Sequence, residues 1–293
     1  MSKTIESGIT RRDALVAFGA LALSARAGIS MAQEEGKAAK GIALQLYSVR
    51  EPAKEDLAGT LKKVREMGWE YVQWSGMPDL TAEQIRAALD EAGLKAVAAH
   101  CGMEPFETDF DNQVKFWKTV GNMDVSPGGM MSDCQVSLEA WKKGAARLDA
   151  IGAKLKDVGM RLSYHNHDKE FQSFPEDPRS KLEILYAETS PEHLYAELDL
   201  AWVQVGGADP AELLLKYTNR CPVIHAKDYV GKSLLRRVKF MPLGMGELKW
   251  DAIFAAGKKA GVEWWVYEQD NADRDIFECA QISYDFLKKN VLS

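Results

Sequence analysis

The residues with chemistry in them are few and they cluster. The chain of 293 residues holds five histidines, and two of them, His165 and His167, stand in the run YHNHDKEF, which also carries Asn166, Asp168 and Glu170. His100 closes the apolar run KAVAAHC, and His225 stands in PVIHAKD just ahead of Lys227 and Asp228. Glu197 and Asp199 lie in LYAELDLA, and Glu268 and Asp270 in WWVYEQD. A lone histidine is more often a structural residue than a ligand. Four of them at the ends of apolar runs, beside carboxylates, argue for a site. His165, Asp199, His225 and Glu268 offer two imidazoles and two carboxylates, a donor set suited to one divalent ion such as Mn, Co, Zn, Fe or Mg. With open positions left for substrate, such an ion acts as a Lewis acid.

Something must bring these residues together. Apolar runs predict eight strands, at 41–49, 70–75, 95–101, 122–127, 161–167, 194–201, 222–228 and 264–270. Helical patterns separate several of them. Leu57, Leu61, Val64 and Met67 form one stripe, and Thr81 with Gln84 makes a capping box ahead of Ile85 and Leu89. Leu138, Trp141, Leu148, Ile151, Leu155 and Val158 form a long stripe ended by Gly159. Ile253 and Phe254 precede Gly261, and a last helix is expected over 273–289. Strand–helix alternation implies parallel strands, and eight units imply a closed (β/α)8 TIM barrel, a single α/β domain over 41–293. An open doubly wound sheet would carry a Gly-rich turn after its first strand, and LQLYSVREP has none.

Barrel active sites lie at the C-terminal ends of the strands, where the titratable residues fall. Alternation along the fifth strand turns His165 and His167 the same way, toward the axis, and Asn166 the other way. Glu197 shares a face with Asp199 but sits nearer mid-strand, and it reads as a buried ion-pair partner. The fourth strand carries Asp124.

The first 32 residues differ in kind. Arg11 and Arg12 precede a mildly apolar run from Ala14 to Ala25, and Ser30-Met31-Ala32 has the small-x-small form of a cleavage site. This is the pattern of a twin-arginine export signal, too short to span a bilayer, which takes about 20 apolar residues. Residues 33–40 read as a polar linker. The expected destination is outside the cytoplasm, in the periplasm, with no membrane span left after cleavage. The formal net charge of −6 and the lack of a basic block argue against a nucleic-acid partner. The widely spaced cysteines, Cys101, Cys134, Cys221 and Cys279, read as scattered thiols.

From Gly41 to the C-terminus the chain resembles the sugar phosphate isomerase/epimerase family, the xylose isomerase-like barrels. LQLYSVRE, YHNHDKEF, LDLAWVQVGGADP, HAKD, GMGELKW and VYEQD carry the resemblance. It implies one divalent metal at the barrel mouth, bound by one residue from each of strands five to eight: His165, Asp199, His225 and Glu268. The fifth-strand ligand in such proteins is commonly Glu, and this chain has His165 there. Sugar epimerases of this kind move a proton with two metal-ligating glutamates, of which only Glu268 is kept. The implied activity is a metal-dependent isomerase or epimerase acting through an enediolate on a free or keto sugar, with Glu268, His167 or Glu170 as base and acid. Expelling a β-substituent after the same first step would make it a keto-sugar or glycoside lyase, or a dehydratase. His100, Trp74, Trp202, Asp228 and Lys227 are the expected substrate contacts, the tryptophans by stacking on sugar faces. Lys232, Arg236, Arg237 and Lys239 would meet an anionic substrate or stay solvated. The competing classes are a non-catalytic exported sugar-binding barrel and an abasic-site DNA endonuclease, the latter disfavoured by the acidic charge. Homo-oligomerisation is left open.

Overall fold

A computed structural model of the protein describes residues 38–231 and 238–292. Eight parallel strands close a barrel: β1 (Gly41–Gln45), β2 (Tyr71–Trp74), β3 (Lys95–His100), β4 (Asp124–Ser126), β5 (Arg161–His165), β6 (Leu194–Asp199), β7 (Val223–Ala226) and β8 (Trp264–Tyr267). Closure is by β8, which pairs with β7 on one side and β1 on the other. This is the single-domain (β/α)8 barrel that the strand count predicts.

The strands are near-continuous apolar runs because both faces are covered. Every residue of β1 and of β7 is buried, as expected for parallel strands between a barrel interior and a helical layer. Inside the barrel, Ala43, Val223 and Val266 form a small plug, separate from the large core between strands and helices. The helix Ala82–Ala92 starts on the expected capping box, with Thr81 and Gln84 exchanging side-chain and backbone bonds, and ends at Gly93 with φ 72°. The helix Leu138–Asp157 buries Trp141, Leu148, Ile151 and Leu155.

The strands are shorter than the apolar runs, and the difference shapes the site. Leu46–Val49 is a 3-10 turn. β5 stops at His165, so His167 is already in the connection beyond it. β6 stops at Asp199, whose carboxylate caps the helix Leu200–Val205. Asp228–Val230 leaves the barrel to pair antiparallel with Lys239–Met241. The helices Glu104–Thr108 and Phe110–Val120 fill the crossover after β3, which the apolar pattern left unassigned. The last helix is Ile276–Val291. Asp124, grouped above with the strand-end chemistry, opens its strand instead of ending it. It lies at the far end of the barrel, 2.9 Å from Arg161, with its carboxyl pushed up to about 6 by burial.

The expected signal at 1–32, most of the linker, and Lys232, Arg236 and Arg237 lie outside the described residues. Among the described residues, no helix is long and apolar enough to cross a membrane. The four cysteines are unpaired, and all but Cys101 are buried.

Gly152 marks the closest approach of a helix to the scaffold. A Cβ there would stand 2.0 Å from the carbonyl oxygen of His193. Alanine favours a helix interior by about 1 kcal/mol over glycine, yet this overlap is with backbone. We expect Gly152→Ala to lower the unfolding free energy by about 1–3 kcal/mol, read from the urea midpoint. An unchanged or raised midpoint would show that the helix can move away from the His193 turn.

Candidate metal centre

The C-terminal ends of the strands open into a cleft of about 700 Å³. His100, His165, His167, Trp202, Glu268 and Asp270 line its polar side. Met103, Met130 and Met131 line part of the rest. Among the described residues, no lysine or arginine lines it.

At its floor, His165, Asp199, His225 and Glu268 each present one donor atom, all within 4.8 Å of one another, and all four residues are buried. His225 Nδ1 lies 2.8 Å from Glu268 Oε2. Lys227 Nζ lies 3.1 Å from Asp199 Oδ2, 2.9 Å from Glu268 Oε2 and 2.8 Å from Asp270 Oδ1. His165 Nδ1 is buried with no hydrogen-bond partner, 3.6 Å from Glu197 Oε1. A buried polar atom without a partner costs about 1–3 kcal/mol. His165 thus keeps an unsatisfied nitrogen, and with Asp199, His225 and Glu268 it makes up two imidazoles and two carboxylates, a donor set suited to a divalent ion. The residues present therefore fit the metal.

The charges fit it as well. Burial opposes the charged form of Glu268, but Lys227 and His225 outweigh it and hold the carboxyl well below its usual range. Burial raises Asp199 to about 6 against the pull of Lys227. Burial alone would lower His225, and Glu268 and Glu197 raise it instead to about 10. Without an ion, the proton on His225 and the Lys227 ammonium neutralise the buried carboxylates. A divalent cation held by these residues would take over part of that task, with release of protons. His165 is held far below its ordinary value by burial and then by His225, so its imidazole is neutral. His167 is drawn down to about 4 by burial and then by Lys227, and it faces the cleft neutral.

The predicted residues divide into those at the cleft and those behind it. His100, His165, His167, Trp202 and Glu268 line the cleft, and Asp199 and His225 lie directly beneath. Four expectations need correction. Glu170 is not at the cleft: its Oε1 accepts from the Tyr164 hydroxyl at 3.0 Å and its Oε2 from the His167 backbone N–H at 2.8 Å. It caps the turn Asp168–Phe171 and is not placed to act as acid or base. Asp228 is fully buried. It accepts the backbone N–H groups of Tyr229, Gly244, Gly246 and Leu248 and the indole N–H of Trp250, so it ties down the long loop. Trp74 is buried away from the cleft because Gln73, its neighbour on β2, takes the axis-facing side. Lys227 is buried under the carboxylates it bonds and does not line the cleft.

Gln73 has no role in the sequence reading, whereas Glu197 is the buried ion-pair partner expected there. Both sit on the barrel axis, fully buried, with the Gln73 amide 3.1 Å from both Glu197 oxygens. The signal was present in strand alternation, which puts Glu197 on the face of Asp199.

Residues 61–289 match the family model of the xylose isomerase-like TIM barrel. The chain belongs to that family. Among curated proteins it is similar to the inosose dehydratase of Lacticaseibacillus casei, 26% identical over 165 residues, 51% of this chain and 54% of that protein. It is 29% identical over 158 residues to the inosose dehydratase of Clostridium tetani, covering 48% and 52%. The chain thus spans about half the length of the curated relatives it matches. Among solved structures, a sugar phosphate isomerase/epimerase from Parabacteroides distasonis superposes with TM-score 0.70 at 22% identity, over 85% of this chain and 98% of that one. An IOLI protein with a bound zinc atom gives 0.65 at 15%, over 85% and 97%. At these identities the structures show the shared fold alone.

We expect Asp228→Asn to cost about 2–4 kcal/mol, since charge-assisted hydrogen bonds are lost and a buried amide N–H₂ meets donors. Chemical unfolding reads the cost, and metal content per folded molecule should be unchanged. Full stability in the variant would remove Asp228 from the scaffold. Loss of metal at full stability would return it to the site.

Proposed function

We propose that the protein is a divalent-metal-dependent enzyme that removes a proton beside the carbonyl of an uncharged keto sugar or keto glycoside, and that elimination of a β-substituent follows. The observation that carries this is the convergence of His165, Asp199, His225 and Glu268 within 4.8 Å at the cleft floor. When bound, a divalent ion supplies a Lewis acid that acidifies the C–H beside the carbonyl. Glu268 is the proton acceptor. The hydrogen bonds it accepts fall on Oε2, which leaves Oε1 toward the cleft. His100 at the end of β3 and neutral His167 in the connection after β5 hydrogen-bond the sugar hydroxyls. Trp202 offers its face to the ring.

Elimination is favoured over epimerisation because β5 supplies His165, a neutral imidazole, where a second carboxylate base would stand. It is also consistent with the inosose dehydratases among the relatives, whose name describes loss of water from a keto compound. Isomerisation is the second reading, favoured by the place of His167: its imidazole lines the cleft with Glu268, so a second side chain is at hand to pass a proton to the neighbouring carbon. An uncharged substrate is supported by the described cleft lining, which offers no lysine or arginine to an anion. The signal read in residues 1–32 supports a site of action outside the cytoplasm.

We expect purified protein to hold one equivalent of divalent metal, and EDTA to lower its melting temperature. His225→Ala should lose the metal and drop turnover at least about 10³-fold, by analogy with removal of one strong transition-state contact, while remaining folded by circular dichroism. Mass spectrometry on a panel of keto sugars and keto glycosides separates the outcomes. Elimination gives a product lighter by water or two products, and isomerisation conserves mass. Near wild-type turnover by His225→Ala, or no metal in the native protein, overturns the proposal.

A further inference from the structure

Glu197 is fully buried on the barrel axis and takes no part in the proton transfer above. Its Oε1 lies 2.5 Å from His100 Nε2 and 2.9 Å from His225 Nε2. The two nitrogens of His225 face different partners. Nδ1 faces Glu268 at 2.8 Å, toward Asp199 and Lys227. Nε2 faces two oxygens, Glu197 Oε1 and, at 2.6 Å, Gln73 Oε1.

A neutral imidazole has one N–H and one lone pair. Nδ1 faces one acceptor, Glu268, a proposed co-ligand of the ion, whereas two acceptors outside that ligand set converge on Nε2, so in the ion-bound protein the proton stays on Nε2 and the lone pair is on Nδ1. Glu197 also decides the orientation of Gln73. Turning that amide round would point its carbonyl at the carboxylate, so the N–H₂ must face Glu197 and the oxygen must face His225.

The geometry assigns Glu197 as the positioning residue of the metal centre: directly and through Gln73, it holds the proton on His225 Nε2, so that Nδ1 is the ligand atom. This rests on the metal site proposed above. His100, His165, Glu197 and His225 also come within 4.8 Å of one another and could be read as an ion site themselves. Their hydrogen bonds speak against it. Both oxygens of Glu197 already accept from the Gln73 amide, and His225 Nε2 points at an amide oxygen as well as at the carboxylate. This group is the support beneath the ion. Carboxylates placed so behind ligating histidines fix the ring and its tautomer, and their loss typically weakens metal binding 10–100-fold.

The test is metal binding by the full chain, without reference to turnover. Apo wild type, Glu197→Gln and Gln73→Leu are titrated with Zn(II) against a chromophoric chelator and with Co(II) by visible spectroscopy. Nitrogen NMR of the histidines reads the His225 tautomer in the zinc-loaded proteins. We expect Glu197→Gln to bind one equivalent 10–100-fold more weakly, with an unchanged Co(II) band pattern and a mixed His225 tautomer. Gln73→Leu should shift in the same direction by less. Wild-type affinity in Glu197→Gln overturns the assignment, even if its apo form melts lower, because that is the behaviour of a residue needed only for the core. An altered Co(II) pattern, or a second wild-type equivalent lost in the variant, makes Glu197 a ligand and also overturns it. Should Glu197→Gln fail to fold, wild-type affinity and a single tautomer in Gln73→Leu are decisive against it. If wild type binds no ion, or His225→Ala binds as tightly, the failure belongs to the metal site itself.

Discussion

Three carboxylates, Glu197, Asp199 and Glu268, are withdrawn from water at one end of a closed barrel, none more than 5% exposed. Burying even one uncompensated carboxylate is prohibitive, so positive charge must come with them. Lys227 and His225 bring it, both from β7 and its immediate continuation. The Lys227 ammonium reaches Asp199, Glu268 and Asp270 at once. The carboxylate cluster is thus balanced by protein cations, and a divalent ion held there would have to displace protons. That requirement explains why a lysine never seen by the cleft occupies a central position.

Parallel strands meet the requirement because they place side chains in register. Glu197 lies opposite His165 on β5, and Asp199 opposite His225 on β7. Carboxylate and imidazole therefore alternate around the axis without any long loop having to order itself. The loops carry another kind of carboxylate. Asp228 and Glu170 bond backbone N–H groups and hold the connections that frame the cleft. One residue type does two jobs, separated by whether the partner is a side chain on the axis or a main-chain amide beside it.

Much of this was legible in the sequence. The apolar runs gave eight strands and the closed barrel, and the strand-end histidines and acids gave His165, Asp199, His225 and Glu268. The failures share a cause. Glu170, Asp228, Trp74 and Lys227 were read from proximity to strand ends, which fixes the level in the barrel but not the direction a side chain takes. A residue beyond the last strand residue no longer obeys alternation, and a carboxylate near free backbone N–H groups turns to them. Within strands alternation held, and it would have selected Gln73 over Trp74. Glu197 was recognised as a buried ion partner, but the identity of its partners depends on register across β5 to β7, which a single sequence does not display.

Asp199 has one oxygen for the charged floor, where Oδ2 meets the Lys227 ammonium, and one for the fold. Its Oδ1 accepts the backbone N–H of Trp202 at 3.0 Å and so starts the helix Leu200–Val205. Trp202 in turn forms part of the cleft wall. A single carboxylate therefore joins the charged floor of the cleft to its aromatic wall. A substitution at Asp199 would therefore disturb the charge balance of the floor and the start of that helix together.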